Sequence, residues 1–288
     1  MNIKLLIFVL AALVPKIAIA QALPPGVIFE PSTKINVEVS VSSIILQADM
    51  FLYSYKVCSK QDSRQNIYHI TFELSEFPQQ PLAPQGWTPP DENFFMVDRD
   101  RKGETGIKIY GWLSDDTNNF DIKPGQCAEG FSFKSAKMPG IKAYFAQGFT
   151  KDDLPRMAHG GEPSEEDEEA FGDLADFFIN SVSSKTVLPD VEASTSPVVL
   201  IDRLISLKHQ AAQLGWIYGP GSDGIVNSLD VKLEAAKKSV LGNKNKTAVN
   251  QLKAFINEIE AQRGKHLNDN AYYLLKINAE FIVSGLGL

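Results

Sequence analysis

The chain has 288 residues, with 28 Lys and Arg against 35 Asp and Glu and a net charge of −7. That balance disfavours nucleic-acid binding, because a binder must neutralise phosphates. The length suits one large or two ordinary domains, and the four histidines (His69, His159, His209, His266) are never spaced as zinc ligands.

Residues 1–20 read as a secretory signal peptide. Lys4 supplies a positive start, Leu5 to Val14 an apolar core, and Ala18-Ile19-Ala20 an A-x-A cleavage signal before Gln21. The competing reading is a retained N-terminal anchor. No cysteine stands near Gln21 to accept a lipid, and no later run reaches the length of a transmembrane helix.

From Val27 to about Phe145 the apolar period is two. Ile35, Val37, Val39 and Val41 alternate with polar or small residues, and so do Tyr53, Tyr55 and Val57. Tyr68, Ile70, Phe72 and Leu74 continue the series, followed by Ile107 and Ile109, Phe131 and Phe133, and Ile141, Ala143 and Phe145. Alternation of this kind marks antiparallel strands with one buried face. Prolines and glycines punctuate the runs, among them Pro78, Pro81, Pro84, Gly103, Pro124-Gly125 and Pro139-Gly140. Short strands with such turns predict a two-sheet antiparallel β-sandwich, Ig-like in plan, over residues 21–190. Phe177 to Thr186 adds a last strand.

Cys58 and Cys127 are the only cysteines. In an oxidising compartment such a pair most simply forms one disulfide. It would close a loop of about 70 residues, worth roughly 4 kcal/mol in the chain-entropy picture. Two unpaired thiols are the alternative.

The loop Gly86-Trp87-Thr88-Pro89-Pro90, with Phe94 and Phe95 nearby, is the best candidate for ligand contact. A tryptophan held among prolines can stack on a sugar or anchor a partner. Trp87 can equally plug one end of the sandwich core, and this is the favoured of the two readings. Asp98-Arg99-Asp100-Arg101-Lys102-Gly103 begins like a calcium loop. It fails where Lys102 replaces an oxygen ligand and again where Ile109 replaces the bidentate glutamate, so it reads as a polar hairpin.

Residues 160–176 carry Glu162, Glu165 to Glu169 (all acidic), Asp173 and Asp176 without one Lys or Arg. Like charges this dense repel, which favours a solvated loop over a loose calcium site. Leu188 to Pro197 holds two prolines and no strong period, and the linker is drawn at 191–197.

Residues 198–288 read as a helical bundle. Leu200, Ile201, Leu204, Ile205, Ala211 and Ala212 keep a helical period over 198–216. The run Gly219-Pro220-Gly221-Ser222-Asp223-Gly224 breaks it, and Ser222 or Asp223 is expected to cap the next helix. Ile225, Leu229, Leu233, Ala236 and Val240 form a second stripe. Gly242 is expected to end it with positive φ, and Asn243 or Asn245 to cap the third helix. Ala248, Leu252, Phe255, Ile256 and Ile259 face one way in that helix, which Gly264 ends. Asn268 or Asp269 starts the last, where Ala271, Leu274, Leu275, Phe281 and Ile282 share a face with one polar member, Asn278. Stripes of this width must be buried, and short turns make the helices antiparallel neighbours.

The segments LIDRLISLKHQAAQLGWI, GIVNSLDVKLEAA and AVNQLKAFINEIEAQRGKHL resemble the small helical FIMAH domain of bacterial extracellular proteins. The resemblance implies a secreted protein and a helical fold, and it implies no reaction. The segment IKPGQCAEGFSFKSAKMPGIKAYFAQG resembles an uncharacterised sandwich domain of secreted bacterial proteins and brings no function with it.

Several chemistries lack their motif. There is no H-E-x-x-H, no phosphate-binding glycine loop and no C-x-x-C. The nearest approach to a nucleophile elbow, Pro220 to Gly224, joins two helices. The expectation is therefore an exported, non-enzymatic accessory or binding protein without cofactor or metal, whose partner is a protein or a glycan. The competing class is a secreted polysaccharide-active hydrolase with a discontinuous carboxylate site.

Overall fold

A computed structural model describes residues 27–28, 31–47, 49–92, 96–98, 107–115, 119–149, 156–157, 181–191 and 196–287. Phe94, Phe95, the acidic segment 160–176 and the cleavage site lie outside the described residues. The strands are β1 (Val27–Ile28), β2 (Val37–Gln47), β3 (Met50–Ser59), β4 (Asn66–Glu73), β5 (Gln79–Leu82) and β6 (Trp87–Thr88). They continue with β7 (Met96–Asp98), β8 (Ile107–Ser114), β9 (Cys127–Ser135), β10 (Met138–Phe149), β11 (Arg156–Met157) and β12 (Val182–Val191). The helices are α1 (Pro197–Gln213), α2 (Ser222–Leu241), α3 (Asn245–Gln262) and α4 (Asp269–Gly285).

One sheet has the order β2–β3–β9–β5. The other runs β12–β10–β4–β8–β6, with β7 also on β8, and β1 pairs with β11. All pairings are antiparallel. The two larger sheets stack face to face through aromatic rings. Tyr55 of β3 meets Phe72 of β4 at 4.7 Å between centroids, and Phe133 of β9 meets Trp112 of β8 at 5.8 Å. The chain is therefore a β-sandwich followed by a helical bundle, the two-part architecture that the periodicities predict.

Buried tyrosines and tryptophans tie the sheets together, because a polar tip inside a core must find a partner. Tyr55 OH donates to the Val187 carbonyl at 3.0 Å, and Tyr144 OH to the Val37 carbonyl at 2.9 Å. Trp112 Nε1 donates to the Leu82 carbonyl at 2.9 Å. These bonds tie β3 to β12, β2 to β10 and β5 to β8 across the two sheets.

Two strands turn the other way from the predicted stripes. In β8 the core takes Tyr110 and Trp112, while Ile109 is buried away from it. In β10 it takes Tyr144 and Ala146, not Phe145. Both faces of these strands are apolar, so a period of two leaves the inward face open. Pairing settles it: Tyr144 stands opposite Phe72, whose ring faces the other sheet. The last strand also lies later than predicted. Leu188 to Val191 belong to β12, paired along β10, because Val187 and Leu188 are core residues.

The bundle core is drawn from all four helices. Leu204, Leu229, Leu233, Leu252, Phe255, Ile259, Leu274 and Leu275 are completely buried. Three helix ends differ from expectation. At the start of α3 the N-cap is Lys244 and no side chain caps, so neither Asn243 nor Asn245 plays that part. Gly242 has φ −85 and Asn243 takes the left-handed turn with φ 55, a conformation that asparagine tolerates. At the start of α2, Gly221 is the N-cap with φ 83, and Ser222 and Asp223 lie inside the first turn. Neither side chain caps there; Asp223 instead sits where the helix dipole favours an anion. Asn268 does cap α4, accepting from Ala271 N–H at 3.0 Å.

Candidate binding surface and the interdomain seam

The sandwich has two open sides, where its sheets end. The first is bounded by β5 and β6. There Trp87 is buried, its ring edge-on to Phe131 at 5.0 Å and its Nε1 donating to the Phe120 carbonyl at 3.0 Å. The indole thus closes the end of the core. Gly86 has φ +75, and a Cβ there would lie 2.0 Å from the Phe120 ring, so a glycine is required for Phe120 to fold over the corner.

Three apolar side chains remain outside on this side: Leu82 is 61% exposed, Leu113 42% and Phe120 36%. Their backbones are held by the two indole hydrogen bonds and by the pairing of Leu113 with Thr88. The sequence reading missed all three, since nothing in their spacing separates them from core positions. Beneath them Asp121 is buried and accepts a hydrogen bond from Ser114 Oγ. Burial raises the Asp121 carboxyl pKa, and the Ser114 bond offsets this only in part.

His69 lies in the second sheet, half-buried, with Nδ1 3.1 Å from Gln147 Oε1. The same oxygen accepts from Tyr68 OH at 3.1 Å, so the histidine proton sits on Nδ1. Burial lowers the His69 pKa to about 4, which keeps the ring neutral at ordinary pH. Gly111 makes room for it, since a Cβ there would come within 2.4 Å of His69 Nε2. Among the described residues no group of three or more His, Cys, Asp or Glu could hold a metal ion. Cys58 and Cys127 form a disulfide between directly opposed positions of β3 and β9.

The second open side, between β2 and β12, is covered by α4. Asn270, Asn278 and Phe281 recur at helical spacing along its sandwich-facing side. Asn270 bonds both the Val41 N–H (2.9 Å, as acceptor) and the Val39 carbonyl (3.3 Å, as donor). Asn278 Nδ2 donates to the Pro139 carbonyl at 3.1 Å, and the Phe281 ring lies 6.1 Å from Phe51. Arg203 of α1 completes the seam. Its guanidinium donates to Asn278 Oδ1 and the Pro139 carbonyl, both at 2.9 Å, and to Asp190 Oδ2 at 3.3 Å. Asp190 also pairs with Lys142 at 3.3 Å, which in turn pairs with Glu73 at 3.2 Å. An ion-pair chain therefore runs from the sheet into the bundle.

Among the described residues no helix is long and apolar enough to cross a membrane. No curated protein matches the chain. The family model of the FIMAH domain matches residues 220–284, a range that spans α2 to α4 and leaves α1 outside. Residues 220–284 of the C-terminal helical part are thus similar to the FIMAH domain.

Proposed function

We propose that this is an exported, non-enzymatic accessory or binding protein, and that the β5–β6 side of its sandwich is the contact face. The observation that carries this reading is the exposure of Leu82, Leu113 and Phe120, each on backbone fixed by the core near this side. Large apolar side chains left outside a well-packed corner are the usual anchors of a protein interface. Leu82 and Leu113 are aliphatic, Phe120 offers a single flat ring, and both indoles of this corner, Trp87 and Trp112, are turned inward; this favours a protein over a glycan, because sugars stack on flat rings. Export is supported by the disulfide, which persists in oxidising compartments, and by the FIMAH domain.

The test is capture. The chain from Gln21 onward is immobilised and offered to secreted proteins and to a glycan array, beside a variant carrying Leu82→Ser and Phe120→Ser. A partner retained by the wild type and lost by the variant supports the face. Equal retention by both moves the contact elsewhere.

A second reading is a polysaccharide-active hydrolase, supported by the raised pKa of Asp121. A glycosidase acid needs such a carboxyl and a second carboxylate within about 5–10 Å. Turnover of polysaccharide by the wild type, abolished in Asp121→Asn with binding intact, would establish it. Binding without turnover sustains the first reading.

A further inference from the structure

An edge strand displays a row of unpaired backbone groups, and such a row recruits other strands. β2 is an edge strand of the four-stranded sheet and runs for 11 residues. Few of the usual protections are present. It has no proline and no lysine, its one charge is Glu38, and its one irregularity is a bulge between Val41 and Ser43. From Ser40 to Gln47 it is uncharged, with Ile45 and Leu46 each 48% exposed.

Asn270 takes the place of a neighbouring strand. Its carboxamide accepts from Val41 N–H and donates to the Val39 carbonyl, flanking Ser40. One residue of a parallel neighbour makes the same pair of bonds with its own N–H and C=O. Asn270 is itself buried, and its Oδ1 also takes a hydrogen bond from Thr186 Oγ1 of β12 at 3.4 Å. One amide therefore blocks β2 and contacts the edge of the opposite sheet. Asn278, eight residues on, satisfies the Pro139 carbonyl in the same manner.

We propose that α4 is an edge guard: Asn270 occupies the pairing positions of β2 and so prevents antiparallel association with β2 of a second copy of this chain. A second copy is the fitting occupant because association about a two-fold axis sets an uncharged strand against itself. No like charges then oppose one another over Ser40 to Gln47. This inference stands apart from the proposed contact face on the β5–β6 side.

The experiment is sedimentation velocity on the chain from Gln21 to Leu288, as wild type, Asn270→Leu and Asn270→Ser. Leucine fills the space without hydrogen bonds; serine is shorter and still polar, and it serves if the leucine variant does not fold. Hydrogen exchange at the Val41 amide, read at a dilution where the chain is monomeric, reports whether the cap is gone, and at least a tenfold acceleration is expected there in both variants. Both should also sediment faster than wild type, in proportion to concentration. Adding Ile45→Lys should restore the wild-type species, since a lysine on the edge opposes pairing. The proposal is overturned if Val41 exchange does not rise, or if the variants sediment like wild type. It is equally overturned if Ile45→Lys leaves the larger species in place.

Discussion

Lys208 Nζ lies 2.5 Å from Asp230 Oδ2, and the lysine side chain is completely buried between α1 and α2. The ammonium also donates to the Val226 carbonyl at 3.3 Å, and His209 Nε2 lies 3.3 Å from the other Asp230 oxygen. Burial lowers the Lys208 pKa, and Asp230 partly restores it. Breaking such a pair costs according to how buried the stranded partner is: Asp230→Ala leaves a fully buried ammonium, whereas Lys208→Met leaves a carboxylate that is 26% exposed and reaches water. Asp230→Ala should therefore cost about 3 kcal/mol, and Lys208→Met no more than about 1 kcal/mol. Urea unfolding of the full chain compares the two. Equal costs would mean that Asp230 does not hold the ammonium.

His69 predicts a pH dependence of stability. Its folded pKa, about 4, lies below the ordinary histidine value of 6.5. Between those values the unfolded chain binds a proton that the folded chain does not, so stability rises with pH across the window. The contribution is intact above about pH 6.5 and is lost on acidification toward pH 4, by about 3 kcal/mol in all. His69→Gln should flatten the pH slope of the melting temperature over this range. An unchanged slope would place the titrating group elsewhere.

The disulfide should be complete in the native protein. Unfolding without reductant should expose no reactive thiol, and the double replacement Cys58→Ser with Cys127→Ser should lower stability by about 2–4 kcal/mol. Thiol labelling and thermal melting read the two parts. Free thiols in unreduced protein would restore the alternative of unpaired cysteines.

Export predicts a specific N-terminus. Intact-mass analysis of the exported protein should begin at Gln21, with or without cyclisation of that residue. A mature form that keeps Met1 contradicts cleavage after Ala20.

The bundle core is supplied by its own helices, with Leu204, Leu233, Leu252, Phe255 and Leu275 all inside. A fragment from residue 196 to Leu288 should therefore fold alone, with helical circular dichroism and a cooperative melt. It should melt below the full chain, because Asn270, Asn278 and Arg203 lose their sandwich partners. Leu252→Asp should unfold it by burying an unpaired charge. A disordered fragment would show that the helices depend on the seam.

Periodicity alone determined the two kinds of secondary structure and their order along the chain. Alternation every second residue marked β2, β3, β4 and β9, whose inward faces are Val39 and Val41, Tyr53 to Val57, Ile70 and Phe72, and Phe131 and Phe133. Stripes three and four apart marked α1 to α4. These signals are local, since each reports one element's need to bury one face. The cysteine pairing was legible too, for only one partner existed.

Tertiary structure alone decided what no local pattern encodes. β8 and β10 are apolar on both faces, so only their neighbours in the sheet fix which face is inward. From sequence Trp87 is favoured as a core plug over a ligand contact, but only the tertiary structure supplies the Phe120 carbonyl that meets its indole N–H. Asn278 stood out in its stripe as the one polar member, a visible sign with no visible partner. Pro139, 139 residues earlier in the chain, supplies it. Asn270 gave no sign at all, because a helix-start asparagine is common and β2 lies 229 residues away. Which polar groups meet across the seam depends on the docking of two separately patterned parts, and that is a property of the packed chain.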